Sequence, residues 1–175
     1  FVTTAQMVAK QFGQRVQVLD SFSTNAGMGY VLREAQRLLQ TGVSWEDLEP
    51  AITPFRAKLK SWVLPQSLEY LRRGGRISGL QFFIGSFLKL LPILEFQEGL
   101  VKPVERVRSF HLGLELLAQR LGKTFPAGAR VTLAHAENPQ ALEQLGGMLR
   151  HEGVLLEGMR PAGAGMRRVH GCGGH

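Results

Sequence analysis

One cysteine, Cys172, stands among 175 residues. That scarcity excludes an internal disulfide and any metal site assembled from several thiolates. Cys172 lies in "HGCGGH" between His170 and His175, and a glycine-rich stretch of this kind is expected to be a flexible end rather than a zinc site. Long apolar runs are scarce as well. The longest, Ile77 to Leu88, gives way to Lys89, short of the roughly 18 apolar residues that a membrane span needs. The opening residues, "FVTTAQMVAK", show no basic region followed by an apolar stretch and a small-residue cleavage site. No export signal is expected, and the cytoplasm is the expected location.

Catalytic signatures are missing too. Neither G-x-S-x-G nor H-E-x-x-H occurs, and His111, His135, His151, His170 and His175 have no nucleophile motif beside them. His135, closing "RVTLAHA", is expected to be a satisfied strand-end histidine. Glu46 with Asp47 and Glu95 with Glu98 fall at helix starts and turns, where solvent is the ordinary partner of a carboxylate. Binding is therefore expected rather than turnover, with no catalytic residue, no metal and no cofactor.

What is present is a globular composition: 44% of the residues are hydrophobic, enough for one good core or two small lobes sharing an interface. The net charge of +7, from 21 Lys and Arg against 14 Asp and Glu, makes nucleic acid a candidate partner on electrostatics alone. The basic residues are scattered along helical faces, without the alternation of aromatic and basic residues used for single-stranded RNA. Nucleic acid is not the expected partner, although a regulatory or interaction module touching it remains the competing class.

Along the chain, residues 2–12 have a helical pattern with Ala5, Val8, Ala9 and Phe12 on one face, and "RVQVLD", 15–20, has the β-branched content of a short strand. A glycine-bearing loop follows, then a helix with Val31, Leu32, Ala35, Leu38 and Leu39 at helical spacing. Ser44 and Asp47 open a further helix to about Lys60. "SWVLP" predicts a strand and "QSLEYLRR" a short helix that Gly74 and Gly75 end. Apolar residues at 77, 80, 84, 87, 88 and 91 keep a helical period up to Pro92. "PILEFQEGLVKPVERVR" predicts a hairpin turning near Glu98 and Gly99. A helix capped by Ser109, the strand "ARVTLAHA", a helix capped by Asn138 and the strand "GVLLEGM" complete an α/β pattern in two lobes, 1–60 and 61–175.

Two stretches have site chemistry. The loop Asp20 to Gly29 stands beyond a strand end and at a helix amino terminus, where open α/β sheets hold ligands. Ser21, Ser23, Thr24 and Asn25 offer donors, and Gly27 and Gly29 permit close approach to the backbone; an ordinary capped loop has the same composition. Gly27-x-Gly29 lacks the third glycine of a dinucleotide fingerprint, and no acidic residue ends a second strand about twenty positions on, which disfavours NAD. The second stretch is "LEYLRRGGRIS", 68–78, whose Arg76 lies past a helix end and just before the apolar segment, where a guanidinium suits a carboxylate or phosphate. Solvated arginines at a helix C-cap, followed by a core helix, are the plainer alternative. Phe82 and Phe83 are adjacent and point in different directions, so one can enter the core while the other lines a cleft.

"LEYLRRGGRIS" followed by an apolar helix, a Pro-Ile-Leu strand and "VKPVERVRS" resembles the DegV family. "VLDSFSTNAGMGYVLREAQRLLQTG" is similar to that family's Asp-Ser-(x)n-Gly-x-Gly segment, and "LAHAENPQALEQL" to its His-x-x-Asn-Pro region. The resemblance extends from residue 1 to about 158. It implies a two-lobed α/β fold that binds a long-chain fatty acid between the lobes, with the carboxylate on hydroxyl side chains and the acyl chain in an apolar tunnel. It also implies that some members present the acid to a separate fatty acid kinase. Burial of the chain would contribute about 0.8 kcal/mol per methylene.

Carried onto this sequence, the resemblance implies ligand contacts from Ser23, Thr24, Asn25, Gly27 and Gly29, and the acyl chain beside Phe83, Ile84 and Phe87. Arg76 is expected to shape the lobe junction or dock a kinase. Three departures stand out. Family members carry a strand and a Thr-Ser loop ahead of the position that here is Phe1, so half of the head-group site is expected to lie outside these residues. Asn25 occupies the place of a family serine. His170 stands nearest to the family's His-x-Gly-Pro-Gly loop, but no proline follows it.

Overall fold

In a computed structural model of the chain, the structure describes residues 2–73, 90–97, 99–125 and 129–161. The order is α1 (Val2–Ala9), a 3-10 turn (Lys10–Arg15), α2 (Asn25–Gln40), α3 (Leu48–Lys58), β1 (Ser61–Val63), α4 (Glu69–Arg73), β2 (Leu91–Gln97), β3 (Leu100–Val107), α5 (Phe110–Thr124), β4 (Arg130–His135), α6 (Pro139–His151) and β5 (Leu155–Pro161). The class is α/β, as the sequence implies. Among the described residues no helix is long and apolar enough to cross a membrane.

The helices from α2 to α3 form a core of their own. Val31, Ala35, Leu48 and Ile52 are buried together, with Leu19, Leu38, Leu39, Phe55 and Leu59 packed around them. Ser44 accepts a hydrogen bond from the Asp47 amide at 3.1 Å and donates to its carboxylate at 2.8 Å. This closes a turn that delays α3 to Leu48.

From Ser61 onward the packing is different. β1, β2 and β3 form an antiparallel sheet in that order. A register shift between Ile93 and Leu94 falls where Leu94 faces Pro103. Proline has no N–H for the ladder, so it is tolerated on the edge strand β3 beside a bulge. Ile93 and Leu94, successive residues of β2, are both buried. α5 lays Leu114, Leu117, Ala118 and Leu121, at helical spacing, against this sheet and against β4. A Cβ on Gly113 would stand 2.6 Å from Leu64, so only glycine allows that approach. Ser109 caps α5 by accepting from the Leu112 amide at 3.2 Å. α6 joins the parallel pair β4 and β5, with Asn138 accepting from the Ala141 amide at 3.1 Å and Pro139 in its first turn. Trp62 packs against both cores of this part and meets Phe125 edge to face at 5.8 Å.

Several sequence expectations need correction. "RVQVLD" is not a strand: Arg15 belongs to the 3-10 turn, and from Val16 the chain is extended but unpaired. Strand character needs a neighbouring backbone to bond to, and among the described residues none runs beside it. The expected apolar face of α1 is open as well, with Val8 and Phe12 exposed and only Ala9 buried. Leu32, expected on the inner face of α2, is exposed. Leu91, read at the end of a helical period, begins β2. Leu90 is not helical either, and residues 77–89 of the expected helix lie outside the described residues.

Candidate functional site

The loop from Asp20 to Thr24 is built by short-range hydrogen bonds. The Phe22 amide donates to the Asp20 carboxylate at 2.8 Å, and the Ser23 amide donates to the Ser21 hydroxyl at 3.3 Å. Ser21 in turn donates to the Ser23 carbonyl at 3.1 Å. Ser21, expected as a free donor, is thus spent inside the loop. The bonds hold an unusual backbone: Phe22 has φ +48° and Asn25 φ +49°. Asparagine tolerates that region, whereas a bulky residue such as phenylalanine is held there against a cost of about 1–3 kcal/mol.

Ser23 and Thr24 then meet the start of α2. The Ser23 hydroxyl oxygen is buried and has no hydrogen-bond partner among the described residues. It occupies the space left by Gly27, where a Cβ would stand 2.0 Å from it. A buried hydroxyl without a partner costs about 1–3 kcal/mol. Thr24 is the N-cap residue, but its side chain makes no capping bond. The amides of Gly27 and Met28 donate instead to the Thr24 carbonyl, at 3.0 and 3.4 Å, and the helix dipole favours negative charge at this end. Asn25 is exposed at the first position of α2, and a Cβ on Gly29 would meet nothing within 4 Å. The structure therefore brings Ser23, Thr24, Asn25, Gly27 and Gly29 to one helix start. Arg76, Phe83, Ile84, Phe87 and His170 lie outside the described residues.

Around the loop stand residues that the sequence did not single out. Arg56 on α3 has a side chain only 6% exposed. It donates to the Asp20 carbonyl and to Glu49, and to the Thr53 hydroxyl at 2.9 Å. Its guanidinium carbon lies 4.8 Å from the centre of the Phe22 ring. Glu49, Thr53 and Arg56 share one helical face, which is the only trace of this in the sequence. On its other side Phe22 meets the β2–β3 turn, where a Cβ on Gly99 would be 3.3 Å from the ring. Tyr30, one turn into α2, reaches Thr132 and Glu157. The loop thus lies where the helices before Lys60 meet the sheets that follow it. Two clefts, of about 420 and 470 Å³, open beside the unpaired segment, and Asp20, Phe22 and Glu49 line the second.

His135 accepts from the Asn138 amide at 3.1 Å through Nδ1, the satisfied strand-end role expected of it. Arg73, at the end of α4, pairs with Glu69 one turn earlier.

The family model described as "Uncharacterised protein, DegV family" matches residues 1–164. The chain belongs to the DegV family. Protein DegV of Bacillus subtilis is 31% identical over 143 residues, covering 78% of this chain and 51% of its own length. A DegV family protein from Thermus thermophilus, described with fatty acid binding, superposes with a TM-score of 0.76 at 27% identity, over 91% of this chain and 58% of that one. The fatty acid kinase (Fak) B3 protein of Streptococcus pneumoniae, solved with linoleic acid, has the same fold, with a TM-score of 0.72 at 20% identity over 91% and 59% of the two chains. The chain spans about half the length of the curated DegV relatives it matches.

Proposed function

We propose that this DegV chain binds a long-chain fatty acid, with the carboxylate at the start of α2 and the acyl chain beside the apolar segment 77–91. Ser23, Thr24 and Asn25 face the head group, Gly27 leaves room for the Ser23 hydroxyl and Gly29 for the ligand, and Phe83, Ile84 and Phe87 line the hydrocarbon. The supporting observation is the buried Ser23 hydroxyl, unpartnered among the described residues and set at a helix start, where the dipole favours negative charge. A carboxylate oxygen accepts from that hydroxyl, and its charge suits the helix start. The Thermus thermophilus relative supplies the ligand class.

The chain acts as a non-catalytic cytoplasmic carrier that presents its acid to a separate fatty acid kinase, with Arg76 at the docking face and His170 near the head group. Its lobes divide near Lys60: Leu59 packs with the α2–α3 core and Trp62 with the cores beyond it. The competing reading as a nucleic-acid module gains little support from the described arginines, since Arg33, Arg37, Arg56, Arg73, Arg120 and Arg130 face carboxylates.

Displacement of a fluorescent fatty acid, set beside binding to an arbitrary DNA duplex over a range of salt, tests the proposal. Saturable displacement by palmitate with weak, salt-sensitive duplex binding is expected. Tight duplex binding without displacement would overturn it.

A further inference from the structure

The loop that presents Ser23 holds a phenylalanine at φ +48°, and its local hydrogen bonds do not explain why that conformation persists. The Asp20 carboxylate engages the Phe22 amide, but the same Asx turn forms with ordinary backbone angles. What distinguishes this loop is the group packed on the ring. Arg56 places its guanidinium 4.8 Å from the Phe22 ring centre while donating to the carbonyl of Asp20, two residues earlier. One planar side chain thus fixes the carbonyl at the loop's start and the ring at its bend.

Arg56 is itself held in place. Its second terminal nitrogen donates to Glu49 and to Thr53, both on α3, and its side chain is nearly all buried. With these donors committed to the protein and its charge faced by Glu49, it is poorly placed to hold a ligand carboxylate directly. We infer that Arg56 is a positioning residue, which sets the Asp20–Thr24 loop so that the Ser23 hydroxyl at the start of α2 meets the carboxylate of the ligand. The inference rests on the fatty-acid reading and adds to it a residue from outside the loop.

Lysine separates this role from a simple charge effect. It keeps the positive charge but loses the planar face and the fork of donors that reach Asp20, Glu49 and Thr53 together. A positioning role also differs from a general structural one. Misplacing the loop harms recognition of the head group and leaves hydrocarbon burial alone, so an acid and an alcohol of equal chain length respond differently.

The test compares the wild type with Arg56→Lys, and with Thr53→Val as a milder variant that removes one anchor of the guanidinium. Palmitate and hexadecanol are measured by displacement, and amide exchange at Phe22 and Ser23 by NMR. In Arg56→Lys the Phe22 amide is expected to exchange about tenfold faster, with protection in α5 and α6 unchanged. Palmitate is expected to weaken about tenfold while hexadecanol changes by less than about twofold, and Thr53→Val is expected to fall between. Unchanged exchange at Phe22, or equal weakening of both ligands, would overturn the inference. A wild type that binds neither ligand would instead remove the fatty-acid reading, and the exchange data would still decide whether Arg56 holds the loop.

Discussion

The phenol of Tyr30, on α2, donates to the Glu157 carboxylate on β5, and the Thr132 hydroxyl on β4 lies 2.7 Å from the same oxygen. The phenol has one proton, so Thr132 is the donor in the second bond. Arg33 lies over the Tyr30 ring at 4.7 Å, and both Arg33 and Arg130 approach Glu157, at 3.8 and 3.7 Å. Tyr30 is more than a hundred residues from both partners, and the contacts tie α2, the helix of the proposed head-group site, to the parallel strands. Tyr30→Phe removes both bonds and is expected to cost about 1 kcal/mol, near the lower range for bonds to charged groups because the site is partly exposed. A urea midpoint indistinguishable from wild type would show that this link is energetically idle.

The same tyrosine gives a pH dependence. Burial first, and then the Glu157 hydrogen bond, raise its pKa above the ordinary value. A folded-state pKa above the unfolded one means that the folded chain holds the proton more firmly. The stabilisation is therefore complete below the ordinary tyrosine value of about 10 and disappears as pH rises through the folded-state value. The stability difference between wild type and Tyr30→Phe should shrink across that window in urea titrations taken at successive pH values. A difference that grows with pH would reverse the assignment.

Gly27→Ala tests the proposed head-group pocket. The new Cβ would meet the Ser23 oxygen at 2.0 Å, so the hydroxyl must swing away. Alanine in α2 adds helix propensity of roughly 1 kcal/mol, so the fold should survive. Palmitate affinity is expected to fall about tenfold, the worth of one hydrogen bond to a charged group, with helical circular dichroism preserved. Gly147→Ala, where a Cβ would meet nothing within 4 Å, is the control and should bind as wild type does.

The separation of cores near Lys60 has its own readout. Ile52 and Leu149 are both fully buried, in different clusters. Truncation of either to alanine is expected to cost about 2–5 kcal/mol. Trp62 belongs to the second part and Trp45 is exposed. Leu149→Ala should therefore disturb the near-ultraviolet tryptophan signal far more than Ile52→Ala does. Equal loss in both variants would argue for a single cooperative unit.

The sequence was most legible where local chemistry sufficed. Ser109 and Asn138 announce their helices because a cap needs only its own first turn, and Gly99, at φ +77°, marks the hairpin for the same reason. It was least legible where a partner lies elsewhere. Val16 to Asp20 has strand composition, but composition does not supply a neighbouring strand. Leu32 fits the apolar period of α2, yet its side of the helix is left uncovered among the described residues. At the proposed site, Ser23, Thr24 and Gly27 were singled out from their place at a helix start. Tyr30 left no signal, because its partners are Thr132 and Glu157, and Phe22 looked like any aromatic until its positive φ and the guanidinium upon it were seen.

Native mass spectrometry of the protein, purified without added lipid, addresses the central proposal most directly. A bound mass in the range of a long-chain fatty acid, released on collision as the free acid and lost when Gly27 is replaced by alanine, is the expected result. A spectrum holding only the bare chain, unchanged after incubation with palmitate, would contradict it.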